Sequence, residues 1–290
     1  MNPEIERWRK YLRYDPTRFL LDAEANPSVF LWYLIDVAHR PEDSSAVRAA
    51  RERVLYSTPV QEIFAAQQPE GYWDPVDSLV EPRYRTTLWN LALLAELGIP
   101  RDSRRARAAC EFVLQNFWDA QGHFPGLDGV ATGYLIHALA YFNMAGDMRV
   151  QRAAQALADH AAREPVAEEI QVAALWALCE LPDVDTIRAR ILARLGDSLA
   201  QRAEFGPITF PPFNPSDPLF ILRVLDTSLL ASPRLHPIVD WVIRKQNEWA
   251  QWPLEKSLGG TLLPHLEEES PASRWTTLNA VRVIVRLVVG

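Results

Sequence analysis

Charge comes and goes along this chain in blocks the length of helices, and that pattern leaves few folds open. The stretches "VFLWYLIDVA", "TTLWNLALLAEL", "GYLIHALAYF", "IQVAALWALCEL", "PLFILRVLDTSLLA" and "WTTLNAVRVIVRL" are nearly uncharged. Between them lie "SSAVRAARERVLYS", "DSRRARAACEFVLQNFW", "MRVQRAAQALADHAA", "DVDTIRARILARL" and "PRLHPIVDWVIRKQ", each with an apolar stripe and an arginine-bearing face; "PEIERWRKYLRY" is a further candidate of this type. A helix apolar on every side must be covered on every side, so the uncharged set is predicted inside and the arginine-bearing set outside. The uncharged helices begin near residues 28, 84, 131, 168, 217 and 274, spaced by 37 to 57 residues, a loose repeat of helical hairpins. The expected fold is all-α, an α/α toroid of about six hairpins or, failing closure, an open solenoid. No Pro/Gly/Ser-rich linker divides the chain, which predicts one domain over 1–290.

Composition removes several function classes. A net charge of −7 with scattered arginines argues against a nucleic-acid surface, which needs clustered cations in excess. Cys110 and Cys179 are the only cysteines, too few for a disulfide framework or a cysteine-rich zinc site. The start "MNPEIERWRKYL" has acids among its bases and no apolar core, so no secretory signal and a cytoplasmic location are expected. The uncharged run at 129–146 approaches membrane-span length, but its Gly, Thr, His and Asn fit a buried helix better, and no membrane span is expected.

Irregular segments fall at 67–83, 119–129, 205–216 and 247–273, and three of the four run from an outer helix to the next inner one. They are expected at one end of the fold, where function concentrates. The first carries Gln67, Gly71 and Trp73 in the spacing Q-x-x-x-G-x-W. The amide can bond free backbone groups at helix ends, Gly permits a left-handed turn and Trp covers the joint, so a structural role is predicted. The motif recurs as "QNEWAQW", with Gln246 and Trp252 in place and Ala250 where Gly would sit, and more weakly as "QNFWDAQGHF".

On these joints, and on "IFAAQQPEGYW", "YRTTLWNLALLAELGI", "RAACEFVLQN" and "SRWTTLNAVRVI", the chain resembles the squalene-cyclase and prenyltransferase repeat family over most of its length, and within it a single-domain prokaryotic branch. The resemblance implies the toroid and an apolar isoprenoid-type ligand. It does not carry activity, which belongs to the site and not to the fold.

Cyclases of this kind protonate an alkene or epoxide with an acid held in D-x-D-D. The nearest match here is "PDVDT", with Asp183 and Asp185 present and Thr186 in the last position; Asp183 or Asp185 reads as the cap opening an outer helix. No D-D-x-x-D run exists for magnesium diphosphate, and Asp74 and Asp77 in "DPVD" read as a solvated loop. The zinc of protein prenyltransferases, held by Asp, Cys and His, finds no match either, because Cys110 and Cys179 have no His beside them in the sequence and His137 reads as a core histidine. No metal and no cofactor are expected.

What remains is the set of residues at the starts of the inner helices. Asp217, followed by Pro218, reads first as an N-cap and second as an acid facing a cavity; Glu169, with Glu168, is the other acid there. Tyr84, Arg85, Tyr134, Phe220 and Trp275 are the candidate substrate-binding residues, since aromatic faces can stabilise a carbocation. The leading expectation is an isoprenoid-binding or isoprenoid-cyclising protein, acid-initiated if catalytic, in which a homodimer could supply the lid that a second domain gives the family's cyclases. The alternatives are a non-catalytic interaction scaffold and, behind it, a carbohydrate-active toroid with Glu168 or Glu169 facing Asp217.

Overall fold

The computed structural model describes residues 7–22, 25–119, 123–181 and 184–289. Helix accounts for 57% of it, and the strands are short. The chain divides into two compact units, one from Met1–Val54, Gly196–Gly259 and Glu267–Gly290, the other from Leu55–Leu195 and Gly260–Leu266.

The second unit follows the predicted alternation closely. Its uncharged helices are Thr87–Leu97, all of it buried, Gly129–Leu139 and Glu168–Leu178, and they pack on one another in that order. The arginine-bearing helices Arg104–Asn116 and Met148–Ala161 lie against them, and Asp185–Ala200 follows. Asp185 opens that last helix as read; Asp183 lies outside the described residues. The inner helices come close because small residues meet. A Cβ placed on Gly133 would stand 2.6 Å from the carbonyl oxygen of Ala173 on the neighbouring helix, so only Gly fits.

Arginines of the outer helices do a common job in this unit. Arg105 donates to the carbonyl of Phe64, near the end of helix Thr58–Ala65. Arg149 donates to that of Leu114, near the end of Arg104–Asn116, at 2.9 Å, and Arg194 to that of Ala162, just past Met148–Ala161. The last carbonyls of a helix have no partner within it, and here each of these helices is closed by a guanidinium of the next outer helix along the chain.

In the first unit, helix Arg274–Val289 packs against Pro218–Val224, Pro27–Trp32 and the 3₁₀ turn Arg7–Tyr11. Its Arg282 is buried, ion-paired to Asp36, and bonded to Asn279 Oδ1 at 3.1 Å. The predicted inner helix "PLFILRVLDTSLLA" is broken. Leu225 is extended, Asp226 accepts the N–H of Leu229 at 2.7 Å and starts a new turn at Thr227–Leu230, and Arg286 takes the carbonyls of Arg223 and Leu225 left by the break. Two small sheets fill the segments read as irregular: Thr209–Phe210 runs parallel to Lys256–Ser257, and Trp252–Leu254 antiparallel to Ser270–Ser273.

The two copies of the Gln/Trp motif, one in each unit, are built alike. Trp73 and Trp252 are buried, and their indole N–H groups donate to the carbonyls of Ile63 at 2.8 Å and Val242 at 2.6 Å, each ten residues earlier. Gln67 Nε2 donates to the carbonyls of Gly71 and Arg105. Gln246 accepts from the N–H of Arg13 at 2.9 Å and donates to the carbonyl of Tyr11 at 3.2 Å. Thus the first joint is tied to the helix that begins at Arg104 and the second to the N-terminal segment. Gly71 has φ +104°, and a Cβ there would meet the Ala108 carbonyl at 2.8 Å; Ala250 holds φ +56° in the second joint. The weak third copy keeps the closing bond: Asp119 donates its N–H to the His123 carbonyl at 3.1 Å, as Gln68 does to Tyr72 at 2.9 Å, with buried Phe124 in the place of Trp.

Candidate functional site

Asp217 is buried at the start of Pro218–Val224, with Pro218 at the first helical position as its sequence suggested. One carboxylate oxygen accepts the N–H groups of Leu219 at 2.7 Å and Phe220 at 3.1 Å. The other accepts the hydroxyl of Thr209 at 2.7 Å and its N–H. Burial pushes the Asp217 carboxyl up to about 6, against the pull of these four donors toward the ionised form. Asp217 is therefore an N-cap that also holds the strand Thr209–Phe210 to the helix. Phe210 in that strand stacks on Trp275 with ring centres 4.1 Å apart, and Trp275 and Phe220 are both buried. Thr209 was not legible as a partner, since nothing in its own sequence marks it.

A second acid in this unit escaped the sequence reading. Glu267 accepts the Ser273 hydroxyl and the N–H of Arg274 at 3.2 Å, at the start of helix Arg274–Val289, and burial pushes its carboxyl up.

The other candidates belong to the second unit. Tyr84, Trp89 and Tyr134 form a run of rings, with centre distances of 5.0 Å and 5.8 Å, and Arg83 lies over the first two at 5.1 Å and 5.6 Å. Such guanidinium–ring contacts contribute about 0.5–1 kcal/mol where exposed. The Trp89 indole donates to the Val80 carbonyl at 3.0 Å, fixing the preceding loop on the helix. Arg85 is exposed, and its carbonyl accepts the Asn90 amide at 2.6 Å. Glu168 and Glu169 are half-buried in the first turn of Glu168–Leu178. Within this unit the structure brings Tyr84 and Tyr134 together through Trp89.

Concavities among the described residues also lie outside these clusters. In the second unit, Phe124, Leu127, Ala153, Ala156 and Leu157 line a pocket of about 420 Å³ with His123 and His160. In the first unit, Arg202, Glu204, Phe205, Asp240, Trp241 and Arg244 border a more charged groove of about 590 Å³. Neither was foreseen, because each joins a loop to a helix face distant from it in sequence.

The fold also brings together two residues that lie far apart in the sequence. Cys179 Sγ lies 3.8 Å from Nδ1 of His137, 42 residues earlier. Both atoms are close to the carbonyl of Trp176, at 2.9 Å from Sγ and 3.2 Å from Nδ1, and the His137 ring stacks on that of Trp176 at 4.0 Å. Cys110, by contrast, is buried, and burial with the neighbouring Glu111 raises its thiol well above the ordinary range.

No helix among the described residues is long and apolar enough to cross a membrane. No family model and no curated protein matches the sequence. Among solved structures, the chain is similar to the crystal structure of a protein from Actinoplanes, with 16% identity and a TM-score of 0.48 over 90% of each chain.

Proposed function

We propose that the chain binds an apolar, isoprenoid-type small molecule on an α/α toroid of hairpins like that of the squalene-cyclase and prenyltransferase repeat family. The observation that carries this reading is the pocket of about 420 Å³ walled by Phe124, Leu127, Ala153 and Leu157. Its size lies within the range of about 300–1,000 Å³ typical of small-molecule sites, and aliphatic and aromatic walls with few polar groups suit a branched hydrocarbon chain. His123 and His160 at the pocket offer donors for a polar end group. The twin Gln/Trp joints support the repeat architecture.

Acid-initiated cyclisation is the less favoured half of this proposal. Alkene protonation needs a strong carboxylic acid with its proton directed at substrate. Asp217 instead accepts four hydrogen bonds, and its acidity is weakened by burial. The interaction-scaffold reading draws on a different observation: Phe210, Trp275 and Phe220 are buried, the first two stacked on each other, which is how a filled core behaves.

The test uses native mass spectrometry and lipid extraction on protein purified from isoprenoid-rich cells, for wild type and Ala156→Trp. Ala156 is exposed at the pocket, so a Trp there blocks the site without entering the core. A co-purifying isoprenoid lost in the variant supports the proposal. Protein that carries no such molecule, or carries it equally in both forms, overturns it in favour of the scaffold.

A further inference from the structure

We propose that His137, Cys179 and Glu180 form a zinc-binding site, with the fourth position of the metal open to solvent. This inference is independent of the apolar pocket. It concerns the C-terminal ends of two neighbouring inner helices: His137 lies in Gly129–Leu139, Cys179 caps Glu168–Leu178, and Glu180 follows it.

Three side chains of different chemistry converge here, a thiol, an imidazole and a carboxylate, each offering a ligand atom within 4.8 Å of the others. Zinc takes such mixed sets, with Zn–S near 2.3 Å and Zn–N near 2.0–2.1 Å. In a tetrahedron those bonds set S and N about 3.6 Å apart. Cys179 Sγ and His137 Nδ1 stand 3.8 Å apart, so the pair needs almost no movement to take up the ion. A sulfur–nitrogen–oxygen donor set excludes magnesium and calcium, which require oxygen, and suits zinc.

The surroundings hold the ligands in place. Stacking on Trp176 at 4.0 Å fixes the plane of the His137 ring. Glu180 is oriented by Arg101, whose Nη1 lies 2.8 Å from Oε2, and Arg101 is itself seated over the Tyr141 ring and bonded to the Tyr141 carbonyl. A ligating carboxylate held by an outer hydrogen-bond donor is the common arrangement around zinc. Cys179 is exposed, which gives the ion a route in and leaves one face of it to water.

Binding balances as a proton exchange. The Cys179 thiol, which now donates to the Trp176 carbonyl, releases its proton to solvent and bonds the metal as thiolate. The Nδ1–H of His137 points at the Trp176 carbonyl at 3.2 Å, so on binding that proton leaves Nδ1 while Nε2 takes one up, and the ring binds the metal through the freed Nδ1 lone pair. One proton leaves for each zinc taken up, so affinity falls as pH falls.

The experiment titrates chelator-treated, reduced protein with Zn²⁺ against a chromophoric competitor, for wild type, Cys179→Ser, His137→Gln, Glu180→Gln and Cys110→Ser. We expect one zinc per chain in wild type, a loss of at least tenfold in affinity in the first three variants, and no change in Cys110→Ser. In parallel, iodoacetamide reports on Cys179, since Cys110 is buried, and zinc should slow its alkylation in wild type at least tenfold. Cys179 is exposed, so its serine variant tests the ligand without disturbing the core. Wild type that holds no zinc, zinc held equally by Cys179→Ser, or alkylation that zinc leaves unchanged overturns the site.

Discussion

Thr87 Oγ1 accepts the backbone N–H of Trp73 at 2.9 Å, and its own hydroxyl proton is directed at the Trp73 carbonyl at 3.3 Å. The same clasp joins the second Trp to an inner helix: Thr277 Oγ1 accepts the N–H of Trp252 at 3.0 Å, and Thr276 donates to its carbonyl at 2.9 Å. Each joint therefore locks a loop to the helix start that follows it. Trp73→Ala and Trp252→Ala should each lower stability by about 3–5 kcal/mol through the lost buried ring. Thr87→Val should cost about 1–3 kcal/mol, because a buried N–H is left unsatisfied. Urea unfolding measures all three, and a loss under 1 kcal/mol in either Trp variant would falsify the structural role.

Backbone geometry separates the two joints. Gly71→Ala forces a methyl against the Ala108 carbonyl at φ +104° and should destabilise by about 1–3 kcal/mol. Ala250→Gly should stabilise or be neutral, by up to about 1 kcal/mol, since Gly adopts φ +56° without strain. Thermal melts of the two variants should move in opposite directions, or the second should stay fixed while the first falls.

Asp217 predicts a pH dependence with a definite sign. Its carboxyl is raised to about 6 in the folded chain, from 3.8. Below 3.8 both states hold the proton; between 3.8 and 6 the unfolded state has lost it and the folded state has not, so the folded chain binds more protons and stability falls as pH rises through that window. Above it the deficit is constant, on the order of 2–3 kcal/mol. Asp217→Asn removes this slope, although the new amide faces the Thr209 donors and weakens the fold at every pH. Unfolding free energies of the two proteins from pH 4 to 7 should converge as pH rises; parallel curves would show that the carboxyl is not raised.

The arginines that close neighbouring helices should be costly to remove. Arg149→Ala frees the Leu114 carbonyl and should cost about 1.5–3 kcal/mol, with Arg149→Lys recovering only part, since a single ammonium replaces a planar fork that also bonds Asp147 at 2.6 Å. A double-mutant cycle with Asp147→Asn measures how much belongs to that ion pair.

The helical alternation was legible in the sequence because solvent acts on each helix separately: an uncharged run such as Thr87–Leu97 has no wet face to offer. The capping role of Asp217 was legible for a related reason, as Asp before Pro is a local signal. What the sequence hid were relations across hairpins. Thr209 on Asp217 and His137 beside Cys179 depend on the register between elements, and no residue's own neighbours report that register. The broken helix at Leu225 was hidden differently, because Asp226 as a cap competes with apolar periodicity that runs straight through it, and the outcome rests on Arg286, some 60 residues away.

By the electrostatics of a single helix, Arg105 and Arg149 are misplaced, since each sits in the first turn, where the macrodipole is positive and a cation is unfavourable by about 0.3–1 kcal/mol. Their guanidinium groups are answered by the negative end of the helix before. A cut-out peptide of Met148–Ala161 should therefore be less helical than its composition suggests, and charge reversal at Arg149 should improve the peptide while harming the protein. Arg104–Asn116 and Met148–Ala161 are built as links, each carrying at its head the charge that the outer helix before it lacks at its tail.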